Sequence, residues 1–132
     1  MCNNTIEYLF PSNIINRHFS LFPDELENDN FVFFHGTSIT NAESIRKNGF
    51  KSAKALTGKG LTSVTYTRKS INAFHHVCTP KPDQDMIVLA VRFTTEDLKR
   101  VVDEQEEIKV CIPEIQPMEI GYCIIPKTYP HI

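Results

Sequence analysis

The sequence predicts an α+β domain built around a split, mostly antiparallel β-sheet core with short flanking helices, and three features carry that prediction. Residues 31–35 (FVFFH) are an aromatic and β-branched run and residues 86–93 (MIVLAVRF) an apolar one, both of strand length. Two helical segments, 40–49 and 70–77, are interleaved with the strand signals. Beyond residue 100 the apolar segments are short and separated by Pro113 and Pro117, the spacing of strands with tight connections.

Taken in order, residues 1–30 read as a flank packed on the domain formed by residues 31–132. Its apolar clusters (Ile6, Leu9 and Phe10, then Ile14, Ile15, Phe19, Leu21 and Phe22) are broken by Pro11 and Pro23. The acidic stretch 24–29 reads as a turn or solvated helix end. The strand at 31–35 stops at Gly36. Thr40-Asn41-Ala42-Glu43 has the form of a capping box with Thr40 as N-cap, Ala42 and Ile45 face inward, and Gly49 ends the helix. Residues 51–60 (KSAKALTGKG) form a basic loop, 63–66 a short strand and 70–77 a helix. Residues 86–93 make a central strand apolar on both faces up to Arg92. Thr94 or Thr95 caps a helical turn reaching residue 100, and the last strands are 107–112 and 119–125.

Length and composition bound the function. A chain of 132 residues and 15.1 kDa is one domain, and its 41% hydrophobic and 23% charged residues are those of a globular protein. The longest apolar run, residues 86–91, falls far short of the ~18 residues that suggest a membrane span. The N-terminus MCNNTIEYLF lacks the basic start and apolar stretch of a signal peptide. A net charge of −2 and a pI near 6.2 argue against a dedicated nucleic-acid binder. Cysteines 2, 78, 111 and 123 form no C-x-x-C pair, so no zinc site is expected, and a reduced, cytoplasmic compartment, in its own cell or a host cell, is.

Three motifs deserve chemical tests. Thr57-Gly58-Lys59-Gly60 fails as a phosphate loop, because it lacks the upstream Gly and the Ser or Thr after Lys59. His35-Gly36-Thr37-Ser38 puts a ring, an approachable main chain and two hydroxyls at a strand-to-helix crossing. Taken alone, such a pair reads as a structural histidine. In the segment from Gln105 to Ile112, alternation puts Gln105, Glu107, Lys109 and Cys111 on one face and Ile108, Val110 and Ile112 on the core face. A carboxylate there can accept a sugar hydroxyl and stabilise an oxocarbenium-like transition state. The same acidic run alone fits a solvated strand face. His75 and His76, adjacent on a helix, diverge and read as surface residues rather than metal ligands.

In order and context, FFHGTSITNAESIRKNGF, SVTYTRKSINAF, DMIVLAVRF and QEEIKVCIP resemble the ADP-ribosyltransferase superfamily over about residues 31–125. The resemblance is to its His-Tyr-Glu branch, which includes diphtheria-type toxins and poly(ADP-ribose) polymerases. It implies an NAD-dependent enzyme that cleaves the nicotinamide–ribose bond and transfers ADP-ribose, with NAD as substrate and no metal. It also implies residue roles: His35 on the adenosine ribose, Gly36 with Thr37 nearby on the nicotinamide carboxamide, Tyr66 stacked on nicotinamide and Ser70 on the carboxamide. Glu107 is then the catalytic glutamate and Gln105 the residue that helps select the acceptor. Glu106 or Glu104 takes the catalytic place if a bulge shifts the strand; alternation favours Glu107. The stretch between Tyr66 and Ser70 is shorter than in the polymerases. By resemblance, a chain of this size suits a small toxin or effector, for which an inhibitor or immunity partner is a possible companion, and its mild acidity favours a macromolecular acceptor that is protein over nucleic acid. Two alternatives are an RNA 2′-phosphotransferase-like enzyme, whose chains also carry an HGT-type motif, and a non-catalytic nucleotide-binding module.

Overall fold

The computed structural model describes residues 5–10, 20–50, 63–78 and 83–127. Its elements are β1 (Ile6–Glu7), α1 (Asp24–Glu27), β2 (Val32–Ser38), α2 (Ile39–Asn48), β3 (Val64–Thr67), α3 (Ser70–Cys78), β4 (Met86–Arg92), α4 (Thr95–Leu98), β5 (Val102–Asp103), β6 (Glu107–Val110) and β7 (Met118–Ile125). The protein is α+β, with one seven-stranded sheet in the order β1-β7-β4-β2-β3-β6-β5. All neighbours are antiparallel except β1 and β7. The expected clusters at Ile14, Ile15 and Phe19 and the basic loop 51–60 lie outside the described residues.

The sheet is continuous, yet its two halves meet through one registered pair, Phe34 with Thr67. On one side of this seam, β2 pairs with β4 along all seven of its residues. On the other, β3 pairs with β6 from Val64–Val110 to Thr67–Glu107.

Because strand side chains alternate, the sheet builds a core on each face. Phe34, Val88, Ala90, Cys123 and Ile125 pack on one face beneath Ala73 and Phe74 of α3, with Leu21 and Phe22 closing the layer. Phe33, Tyr66, Ile87, Leu89, Val91 and Ile108 fill the other face beneath Ala42, Phe50 and Ile115. β4 contributes to both cores, which is why its sequence is apolar throughout rather than alternating. Cys123 is buried, and desolvation pushes its thiol up to about 12, so it is a small apolar filler.

Local chemistry sets the boundaries. β2 passes through Gly36 and ends at Ser38, whose side chain accepts the Asn41 N–H at 3.1 Å and caps α2. The cap is therefore Ser38 rather than Thr40, whose hydroxyl donates to Gln84. Gly49 ends α2 with φ +83° and donates its N–H to Ile45. Thr94 caps α4 by accepting from Asp97. Arg46 of α2 forms a two-point ion pair with Glu119 of β7, its Nε 3.0 Å from Oε1 and its Nη2 2.8 Å from Oε2. The described part of the flank adds β1 to the β7 edge, and Tyr8 donates its N–H to Tyr122 at 2.8 Å. No helix among the described residues is long and apolar enough to cross a membrane.

Gly36 marks where α3 passes closest to the sheet. A Cβ there meets Val77 Cγ1 at 2.6 Å and the Ala73 carbonyl oxygen at 2.7 Å. Since one obstacle is helix backbone, Gly36→Ala must push α3 outward. Urea unfolding should show a loss of about 1–3 kcal/mol, the usual cost of overpacking; an unchanged midpoint would mean that α3 is not seated this closely.

Candidate active site

Beyond the Phe34–Thr67 pair the strands β2 and β3 part, and side chains take over from the backbone ladder. His35 Nδ1 lies 2.9 Å from the Thr65 carbonyl oxygen. A carbonyl only accepts, so Nδ1 carries the hydrogen and the neutral ring keeps its lone pair on Nε2. Burial lowers the His35 pKa from 6.5 and so favours the neutral ring, an effect that the Thr65 bond partly offsets. Thr67 completes the seam: its hydroxyl donates to the Lys69 carbonyl at 2.8 Å and lies 3.4 Å from that of Phe34.

The register then determines which groups face one another. Thr67 pairs with Glu107 and Thr65 with Lys109, so these four side chains share the face on which Phe34 lies and over which α3 runs. Between α3 and β3–β6 lies a cleft with two lobes. The inner lobe, about 320 Å³, is bounded by His35, Gly36, Thr65, Ala73 and Lys109. The outer lobe, about 490 Å³, is bounded by Asn72, His75 and Glu106. Thr67, His76 and Glu107 border both. Glu107 is half-buried, with Lys109 Nζ 3.9 Å from its Oε2; the same ammonium lies 3.2 Å from Glu104.

The residues expected at the site are dispersed by this alternation. Gly36 and Glu107 line the same lobe, and His35 contributes to its wall. The His35 ring, however, packs against Phe50 and Tyr66 at centroid distances of 5.3 and 5.4 Å, within the aromatic cluster of the opposite face. Tyr66 is wholly buried there, edge-on to Phe93 at 5.0 Å, and its hydroxyl has no hydrogen-bond partner among the described residues. Burial drives its phenol pKa far above the ordinary range. Thr37 is buried and paired with Ile87, which also puts it on that opposite face. Ser70 is enclosed: its N–H and hydroxyl both donate to the Glu27 carboxylate, while its Oγ accepts the Leu21 N–H at 3.0 Å. That carboxylate, buried at the N-terminus of α3, fixes the helix carrying Asn72 and His76.

Gln105 lies outside β6, in the turn between β5 and β6, with a left-handed φ of +68°. Its N–H donates to Asp103 at 3.1 Å. Arg68, just after β3, clamps this turn: its Nε donates to the Gln105 carbonyl, Nη2 to Asp103 at 2.9 Å, and its backbone N–H to the Glu106 carbonyl at 2.9 Å. The Arg68 hydrogen bond is the main reason the Asp103 pKa is lowered. A non-glycine residue held in the left-handed region beside Glu106 and Glu107 is the strain expected of a turn shaped to present particular groups. Thr65 and Thr67 carry no motif signal of their own, His76 reads from the sequence as a surface residue, and Lys109 only as a neighbour of Glu107 on its strand face. The β3–β6 register, which no local pattern encodes, brings Thr65, Thr67, Glu107 and Lys109 together, and α3 carries His76 to the same cleft.

Among the described residues no cluster of three or more His, Cys, Asp or Glu is arranged to hold a metal ion. Comparison with protein-family models, with curated proteins and with solved structures finds no match.

The buried His35 makes stability pH-dependent with a defined sign. Above about pH 6.5 its ring is neutral in both states. Below that, the unfolded chain takes up a proton that the folded seam resists, so stability falls as pH drops from the unfolded value toward the lowered folded one. Urea midpoints at about pH 7.5 and about pH 5.5 should differ more for the wild type than for His35→Gln. Equal pH dependence in the two proteins would contradict the buried neutral ring.

Proposed function

We propose that the chain is an NAD-dependent ADP-ribosyltransferase that works at the sheet seam, with Glu107 as its catalytic acid residue. The observation that carries this reading is that Gly36 and Glu107, distant in sequence, border one lobe of one cleft. Among the described residues, β2 has no ladder partner on its β3 side after Phe34, so that backbone edge is suited to the donor and acceptor of a carboxamide. The nicotinamide ribose then lies against Glu107, whose carboxylate accepts a ribose hydroxyl. As the C1′–N bond breaks, its electron pair leaves with nicotinamide, and the carboxylate stabilises the positive charge developing on the ribosyl carbon.

His35 serves in this reading as the strut of the seam, through the Thr65 carbonyl, and contributes to the wall of the nucleotide lobe. Tyr66 supports that wall from the opposite face, without stacking on the ring. Ser70 orients α3 through Glu27. A macromolecular acceptor, protein rather than nucleic acid, fits the mild acidity of the chain. A binding-only module is the second reading, favoured by the commitment of Tyr66 and Ser70 to internal contacts. The RNA 2′-phosphotransferase-like reading is weaker, since Lys109, the lysine of the inner lobe, is already paired with Glu104.

Glu107→Gln keeps the size of the side chain and removes its charge. Nicotinamide release from NAD should fall at least about 100-fold, the scale of losing one transition-state electrostatic contact, with an unchanged melting temperature. Wild-type turnover in this variant would exclude Glu107 from the chemistry, and NAD binding by a wild type that releases no nicotinamide would establish the binding-only module.

A further inference from the structure

The cleavage step uses the inner lobe and leaves the larger outer lobe without a task. We propose that the outer lobe seats a hydroxyl-bearing acceptor and that His76 takes its proton, an inference that rests on the transferase reading above. Only Thr67, His76 and Glu107, among the described residues, border both lobes, so a nucleophile in the outer lobe meets the ribosyl carbon beside these three. Thr67 has committed its hydroxyl hydrogen to the Lys69 carbonyl and is no base at neutral pH. Glu107 is occupied by the ribose and by the developing charge. His76 remains: it is exposed, it has no hydrogen bond or ion pair among the described residues, and imidazole is the commonest general base of enzymes.

The other groups of the lobe fit an oxygen nucleophile. Asn72 offers an amide able to both donate and accept, and Glu106 presents a carboxylate with no cation paired to it among the described residues. His75 is turned partly to the Phe74 ring, 5.6 Å between centroids, which leaves His76 as the imidazole at the junction of the lobes. A hydroxyl is a weak nucleophile until its proton is removed, so it needs a base placed where the bond forms. The step balances without redox change. The C1′–N bond breaks with its pair going to nicotinamide, an acceptor oxygen lone pair forms the C1′–O bond, and the O–H proton passes to a His76 ring nitrogen and on to solvent.

The test uses the full chain with NAD and methanol, the simplest hydroxyl acceptor, measuring released nicotinamide, ADP-ribose and methyl ADP-riboside. The expected results are methyl ADP-riboside formation by the wild type and a fall of about 100-fold or more in kcat for His76→Ala, with KM for NAD preserved. Added imidazole, small enough for the open outer lobe, should restore turnover to His76→Ala and leave Glu107→Gln inactive. Wild-type kcat in His76→Ala, while Glu107→Gln is inactive, would overturn the role of His76 and leave the transferase reading standing. Loss in His76→Ala that imidazole does not restore would likewise overturn it, making His76 a structural residue. Preference for agmatine over methanol as acceptor would overturn the hydroxyl class. A wild type that releases no nicotinamide at all would overturn the transferase reading and this inference with it.

Discussion

The site exists because β2 and β3 separate immediately after a single registered pair, Phe34 with Thr67. A full ladder there would close the sheet and leave the backbone of Gly36 satisfied by its neighbour. Instead a side chain bridges the gap, with His35 reaching the Thr65 carbonyl at 2.9 Å. Burial disfavours the charged ring, and the bond to Thr65 offsets part of that effect. What the bridge provides is a fixed opening of about 320 Å³ between two halves that are each rigidly laddered.

Alternation across that seam divides the labour between faces. Odd-numbered residues of β2 join Tyr66, Phe50 and Phe93 in an aromatic layer whose edge-to-face packing makes the rear wall dense. Even-numbered ones face α3, and it is there that Thr67, Glu107 and Lys109 converge. Two clamps hold the polar face. The Glu27 carboxylate fixes the start of α3 through Ser70, and Arg68 fixes the β5–β6 turn through Asp103 and Gln105. The helix and the acids that face each other across the cleft are thus positioned from outside it, and among the described residues the side chains of Glu106 and His76 have no hydrogen bond or ion pair.

Much of this fold is legible in the sequence because it is written in local patterns. The double-sided burial of β4 follows from its unbroken apolar run, the alternation of Ile108 and Val110 against Glu107 and Lys109 from period two, and the end of α2 from Gly49. Less legible features depend on partners distant in the chain. Ser38 displaces Thr40 as cap because Gln84, far along the chain, engages the Thr40 hydroxyl. Glu27 lies in an acidic stretch that reads as solvated, and only the N-terminus of α3 makes its burial favourable. The alternation of β6 makes it legible that Glu107 faces away from the Ile108–Val110 core. That Tyr66 faces away from this carboxylate follows from the pairing of Thr67 with Glu107, since the neighbour of a paired residue points to the opposite face.

The proposed function puts NAD at the seam itself. The most direct measurement is a backbone amide NMR titration of the full chain with NAD. The largest shifts are expected at Gly36, Thr65, Thr67, Glu107 and Lys109, with α3 responding at Ala73 and His76. Shifts confined to Phe50, Phe93 and Ile115 on the aromatic face, or no shifts at saturating NAD, would contradict it.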